Sequence, residues 1–171
     1  HKLLVYTSLL LASKCFQKQT GREHSVKNII HQAIAYLPER PEAWYYLCLQ
    51  SEADQAWQLC YTYAQTALSA YPVEPLPADV GCEGVWAIEY QKAVSAWWVG
   101  RKDESLSIFK KLMTSSSVPD SIKQSITWNM ERTGMTFSEN NNQEINPFDK
   151  FKSHGLHQVP GWVKSTLPDF L

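Results

Sequence analysis

The four cysteines, Cys15, Cys48, Cys60 and Cys82, form no C-x-x-C and no paired spacing, so the sequence offers no zinc knuckle and no dithiol redox motif. Reduced, mostly buried thiols are expected. Charge of one sign is also missing. Sixteen Lys and Arg face seventeen Asp and Glu, and no long like-charge run occurs, so nothing is available to neutralise a phosphate backbone or an anionic bilayer. Neither nucleic acid nor membrane is expected as a partner. There is no N-x-S/T sequon, in keeping with a cytoplasmic location. The longest apolar run, Leu3 to Ala12, is too short to span a bilayer and lacks a clean small-x-small cleavage site after it. It reads as a buried amphipathic helix. Because the chain opens on His1 and enters that helix at once, it is expected to be a piece of a longer polypeptide.

Catalytic signatures are absent as well. No G-x-S-x-G, Walker loop, G-x-G-x-x-G or H-E-x-x-H is found. Glu52-Ala53-Asp54 is the nearest acidic pair and reads as a solvated turn at a helix end. His154 and His157 lack a third ligand at metal-binding spacing, and His24 and His31 read as surface or packing residues. No enzyme activity, cofactor or metal is expected for this chain.

What is present is a repeat. Ala33-Ile34-Ala35-Tyr36-Leu37-Pro38 returns as Ala67-Leu68-Ser69-Ala70-Tyr71-Pro72, 34 residues later at both the alanine and the proline. That period is the tetratricopeptide period, a helix–turn–helix unit closed by proline. With Pro41 as position one, Trp44, Leu47, Ala67 and Pro72 fall at the fourth, seventh, twenty-seventh and thirty-second positions. Extended backwards, the frame places Gly21 at the fifteenth position, with Ile30 and Ala33 on the second helix of a first unit. Gly100 supplies the same fifteenth position for a third unit, with Ser105 in a small-residue slot and Phe109 and Leu112 in packing slots. The third unit follows an insertion of about eleven residues around 73–81, expected to be an ordered loop without helix.

The expected fold is all-α: a short α-solenoid of about three tetratricopeptide-like helix pairs over residues 1–134, a capping helix, and an extended tail over 135–171. Helices are expected at 3–19, 23–37, 41–51, 55–71, 83–99, 103–114 and 122–132, with Asp120 as the cap of the last. The tail has turns and no sustained period. It is rich in apolar residues, of which Trp162, Phe170 and Leu171 are the expected anchors. They would pack back on the solenoid near Trp97, Trp98 and Trp128, or on a neighbour.

Arg40-Pro41-Glu42-Ala43-Trp44-Tyr45-Tyr46-Leu47, the loop Pro75-Leu76-Pro77-Ala78-Asp79-Val80-Gly81, and the run Ala93 to Arg101 occur in that order. Together they resemble the tetratricopeptide-like helical region found downstream of family 2 glycosyltransferase domains in bacterial and viral proteins. The likeness covers roughly residues 20–132, with Trp97-Trp98 in place of the usual tyrosines. It implies a non-catalytic module, because the sheet and the D-x-D-type acidic cluster of such a transferase are not in this chain.

Function is therefore expected to reside in a surface. In tetratricopeptide units the first helix of each pair lines the groove, which selects Lys18 from the first unit, Glu42, Tyr45 and Glu52 from the second, and Tyr90, Trp97 and Trp98 from the third. Arg22, Arg40 and Arg101 read as helix-end and turn residues. The expected role is protein–protein interaction or scaffolding, with a protein partner or another domain of a longer polypeptide in the groove. The alternatives are an accessory glycosyltransferase domain that binds a glycan acceptor or joins protomers, and a structural subunit of a larger assembly such as a virus particle.

Overall fold

A computed structural model of the chain describes residues 1–134. Every element among them is a helix: α1 Lys2–Gln17, α2 Glu23–Tyr36, α3 Pro41–Ala53, α4 Trp57–Ser69, α5 Val85–Trp98, α6 Lys102–Thr114 and α7 Asp120–Thr133. None is long and apolar enough to cross a membrane. The tail, with Trp162, Phe170, Leu171 and the His154–His157 pair, lies outside the described residues.

The chain divides into two compact units, one covering His1–Ser105 and the other beginning at Leu106. In the first, each helix packs on the next from α1 to α5, and α3 also touches α5. The apolar stripes that drive this recur at helical spacing: Tyr6 and Leu10 on α1, Val26, Ile30 and Ala33 on α2, Cys60, Ala64 and Ala67 on α4. Ala33, Ala43, Ala64 and Ala67 are wholly inaccessible, and their small side chains permit close helix approach. Ser105, also fully buried, donates from Oγ to the Ala93 carbonyl at 2.7 Å, tying the start of α6 to α5. In the second unit Phe109, Leu112, Val118, Ile126 and Met130 are buried.

The three fifteenth positions of the repeat frame share one backbone conformation. Gly21 and Gly100 have φ of +77° and +83°, and Gln55 has φ of +56°. At Gly100 the turn is a Schellman closure, with Arg101 N–H on the Ala96 carbonyl at 2.8 Å and Gly100 N–H on Trp97 at 3.1 Å. Gln55 heads the same arrangement, with Ala56 N–H on Ser51 at 2.7 Å and Gln55 N–H on Glu52 at 2.9 Å. A residue with a Cβ thus occupies a left-handed site. This is why α4 begins at Trp57 rather than at the expected position 55. Similarly, α5 begins two residues later than expected because Gly84, with φ +94° and ψ −160°, adopts a conformation open only to glycine. Asp120 is not a cap: Pro119 holds that place, and Asp120 lies in the first turn of α7, where its charge suits the helix dipole.

No helix occurs between Ser69 and Val85. This loop is fastened instead by side chains from other elements. Lys14 Nζ donates to the Val80 carbonyl at 2.8 Å, the Tyr46 hydroxyl donates to the same oxygen, and Arg40 Nη1 donates to the Glu74 carbonyl at 2.8 Å.

Candidate functional site

The first half of α3 is organised by a buried acid that is fully partnered. Arg40, at the N-cap, donates from Nε to Glu42 Oε2 at 3.0 Å and from Nη2 to Oε1, forming a two-pronged ion pair; the two residues are 5% and 6% exposed. The Tyr6 hydroxyl of α1 donates to Glu42 Oε2 at 3.3 Å and accepts the Ala43 N–H at 2.9 Å. Ala43 is the third residue of α3, so Tyr6 satisfies one of the N–H groups that a helix start leaves without a partner. Burial, with the adjacent Glu42 carboxylate, holds the Tyr6 hydroxyl far above the usual phenol range. The Arg40 guanidinium also lies 5.9 Å over the Tyr6 ring. Arg40 is therefore more than a turn residue, and both Glu42 oxygens are taken up inside the fold.

The C-terminal half of α3 carries a second buried acid in a different condition. Glu52 is 9% exposed, and the Gln91 amide of α5, itself 5% exposed, hydrogen-bonds its carboxylate. Glu52 Oε1 and Gln91 Oε1 have no hydrogen-bond partner among the described residues. Burial pushes the Glu52 carboxyl up from 4.5 to about 7, opposed only by the Gln91 hydrogen bond. The acidic pair expected as a solvated turn is thus divided. Asp54 is exposed and pairs with Lys27 at 2.7 Å, while Glu52 turns into the protein.

Tyr45 lies two turns before Glu52 on the same side of α3 and is also buried. Burial raises its hydroxyl far above the phenol range, and the Cys82 and Cys48 thiols and the Glu83 and Glu52 carboxylates raise it further. Cys48 lies one turn before Glu52. Its Sγ is 3.1 Å from Cys60 Sγ of α4, and contact with Cys60 and burial push its thiol up. All four cysteines are free; Cys48 and Cys60 are buried and Cys15 is exposed.

The remaining groove candidates occupy varied places. Tyr90 is buried on α5. Trp97 is half-buried beneath Lys102, whose Nζ lies 4.7 Å from the ring centroid. Trp98 stacks on Trp57 of α4 with centroids 5.3 Å apart and ring planes 16° apart, so it packs between two helices. Lys18 is the exposed C-cap of α1. His24 and His31 are exposed on α2. Sequence reasoning missed a polar cluster that joins α4, α5 and the start of α6. There Glu104 accepts from the Tyr61 hydroxyl at 2.9 Å and pairs with Lys92 at 2.9 Å, while Arg101 sits 4.9 Å over the Tyr61 ring. These bonds, led by Lys92, hold the Glu104 carboxyl below the ordinary carboxylate range.

Tyr45 and Glu52 of α3 and Gln91 of α5 are thus buried, and Glu52 Oε1 and Gln91 Oε1, like Gln50 Oε1 of α3, are enclosed without a hydrogen-bond partner among the described residues. Among the described residues no group of three or more His, Cys, Asp and Glu side chains is placed to hold a metal ion. No protein-family model, curated protein or solved structure matches the chain.

Proposed function

We propose that residues 1–134 act as a non-catalytic helical-repeat module of tetratricopeptide-like pairs that receives a segment of a protein partner along the face shared by α3 and α5. The observation that carries this reading is the Glu52–Gln91 pair. Two buried acceptor oxygens without donors lower the stability of a folded chain by roughly 1–3 kcal/mol each, and an isolated helical array gains nothing from keeping them. A partner that brings donors turns that loss into recognition. Glu52 and Tyr45 also stand at groove positions in the repeat frame, as does Tyr90.

Selecting peptides against the full chain from a random displayed library and mapping them by amide chemical shifts tests the reading. Shifts concentrated on α3 and α5 are expected. Peptides that map to the outer faces of α2 and α4, or no selected peptide at all, would refute it.

A second reading is that the module accompanies a glycosyltransferase domain and orients its acceptor. It is favoured by the contact between two distant parts of the motif that resembles that family: Tyr46, in the run that opens with R-P-E-A, holds the loop at Val80, and Arg40 of the same run holds the residue just before the loop, Glu74. Binding of the full chain to an oligosaccharide array, with competition by the selected peptide, tests this alternative. Absence of any saturable glycan would remove it.

A further inference from the structure

Helix α1 has two apolar faces and turns only one of them inward. The inward face holds Tyr6 and Leu10, which have no accessible surface, and packs on α2. The outward face holds Leu4, Ser8, Leu11 and Cys15, all exposed, with Val5 beside them. Leu4 is 57% exposed, and Val5 and Leu11 37% each, so this one helix supplies half of the large apolar side chains that stand open among the described residues. Single surface hydrophobes are ordinary, whereas a row of them marks a contact. A helix apolar on opposite sides is a helix with neighbours on both.

The spacing of the row describes the missing neighbour. Positions 4, 8, 11 and 15 alternate steps of four and three, the seam of a two-helix contact, with Leu4 and Leu11 at d, Ser8 and Cys15 at a, and Val5 at e of a heptad. The Ser8 hydroxyl donates to the Leu4 carbonyl at 2.8 Å, so it demands nothing of a partner. Small side chains thus alternate with leucines along about 16 Å, a relief that suits the ridges of a facing helix of about three turns. The charge along the row is one-sided. Residues 1–22 contain Lys2, Lys14, Lys18 and Arg22 and no Asp or Glu, although the whole chain carries −1. Lys14 is engaged by the Val80 carbonyl, and Glu23, the first acid, accepts from the Gly21 N–H. Lys18, at the next d position, and Arg22 are exposed and enter no ion pair among the described residues. A second copy of α1 would set cation against cation in either direction. An anionic bilayer fits less well than a helix, because the row has no aromatic residue and its alternation of large and small side chains has no use against lipid.

We infer that the outward face of α1 is a docking site for an acidic amphipathic helix of a partner protein, with apolar residues at heptad spacing and Asp or Glu placed to meet Lys18 and Arg22. The site is independent of the α3–α5 face.

The probe is a peptide of three heptads with leucine at a and d and glutamate at e and g, whose own flanks repel and oppose self-pairing at neutral pH. The controls are the same peptide with lysine at e and g, and the acidic peptide in scrambled order. Fluorescence anisotropy with the full chain gives affinity, and amide chemical shifts give the place. Saturable binding of the acidic helix with shifts on residues 4–18 is expected, weakening as salt is added, with both controls at least tenfold weaker. Leu11→Glu and Leu11→Ser should each lose at least tenfold, and Lys18→Glu with Arg22→Glu should reverse the preference in favour of the lysine peptide. All three positions are exposed, so the variants should melt as the parent does. No saturation, equal binding of the three peptides, shifts that avoid α1, or undiminished binding in Leu11→Ser overturns the site. So does sedimentation of the free chain as a dimer that Leu11→Ser disperses, which would assign the face to a second copy. Binding to phosphatidylcholine–phosphatidylserine vesicles that Leu11→Ser abolishes would assign it to a membrane and overturn the site equally.

Discussion

Replacing Arg40 by methionine isolates the contribution of the buried pair at the start of α3. Methionine keeps most of the aliphatic stem and removes three N–H donations: two to Glu42 and one to the Glu74 carbonyl. Glu42 would then be a carboxylate at 6% exposure with only the 3.3 Å Tyr6 hydroxyl as partner. Stripping a buried ion pair of one member typically destabilises by about 3–5 kcal/mol, and this chain should lie in that range because the pair is two-pronged and nearly dry. Exposed pairs such as Lys27–Asp54 set the contrast at about 0–1 kcal/mol.

The informative variant is the double one. Arg40→Met with Glu42→Met removes both charges and should recover all but about 1–2 kcal/mol, the residue being the unpartnered Glu74 carbonyl and Tyr6 hydroxyl. Urea unfolding followed by tryptophan fluorescence gives the two differences, provided the slopes are unchanged. A loss below about 1 kcal/mol for Arg40→Met, or additive effects in the two single variants, would show that the pair is solvated and that this reasoning is wrong.

Three further outcomes follow from the same geometry. Glu52→Gln should stabilise the chain, and more so at high pH. The folded carboxyl binds its proton up to about 7 while the unfolded one releases it near 4.5, so the wild type loses stability as pH rises through that window and the variant does not. The gain is on the order of 3 kcal/mol at most at pH 8 and vanishes below pH 4, and parallel melting curves at all pH values would contradict it. Gln55→Gly should raise stability by ~0.5–1 kcal/mol in urea unfolding by relieving the left-handed Cβ at φ +56°; a loss would mean the Gln55 side chain contributes contacts that outweigh the strain. Ala67→Trp, at a site on α4 with no accessible surface, should lower the melting temperature through overpacking of ~1–3 kcal/mol or more, and an unchanged melt would place Ala67 outside the helix interface.

The helices were legible because their signals are local. Pro41 at a first helical position, alanines at helical spacing and glycine turns fixed seven elements to within a few residues, and the frame identified Ala67, Ser105, Phe109 and Leu112 as buried. Gln55 escaped because glutamine carries no turn signal; only its place in the frame, level with Gly21 and Gly100, could have exposed its left-handed backbone. Arg40 and Glu42 were placed at a turn and in a groove because sequence spacing does not reveal Tyr6, which approaches from thirty-six residues away. Glu52 was given two incompatible surroundings, groove and solvated turn. Its burial depends on α5, beyond an insertion whose length obscures which residue of α5 would face it.

The two acids of α3 bear on function more clearly together than apart. They occupy one helix ten residues apart, both almost inaccessible, and differ in one respect: Glu42 has an arginine and the Tyr6 hydroxyl, whereas Glu52 has a glutamine. Burial alone therefore does not explain Glu52, since the same helix shows how this fold compensates a buried carboxylate. If Glu52 were only a packing residue, glutamine or leucine would serve better at that position, by the stability argument above. A side chain kept at a cost in stability is what a binding function would explain. The two measurements on Glu52→Gln are thus linked. A variant that is more stable and also weaker for the selected peptides would locate function in the carboxylate, while greater stability with undiminished peptide binding would reduce Glu52 to a tolerated flaw in the α3–α5 contact.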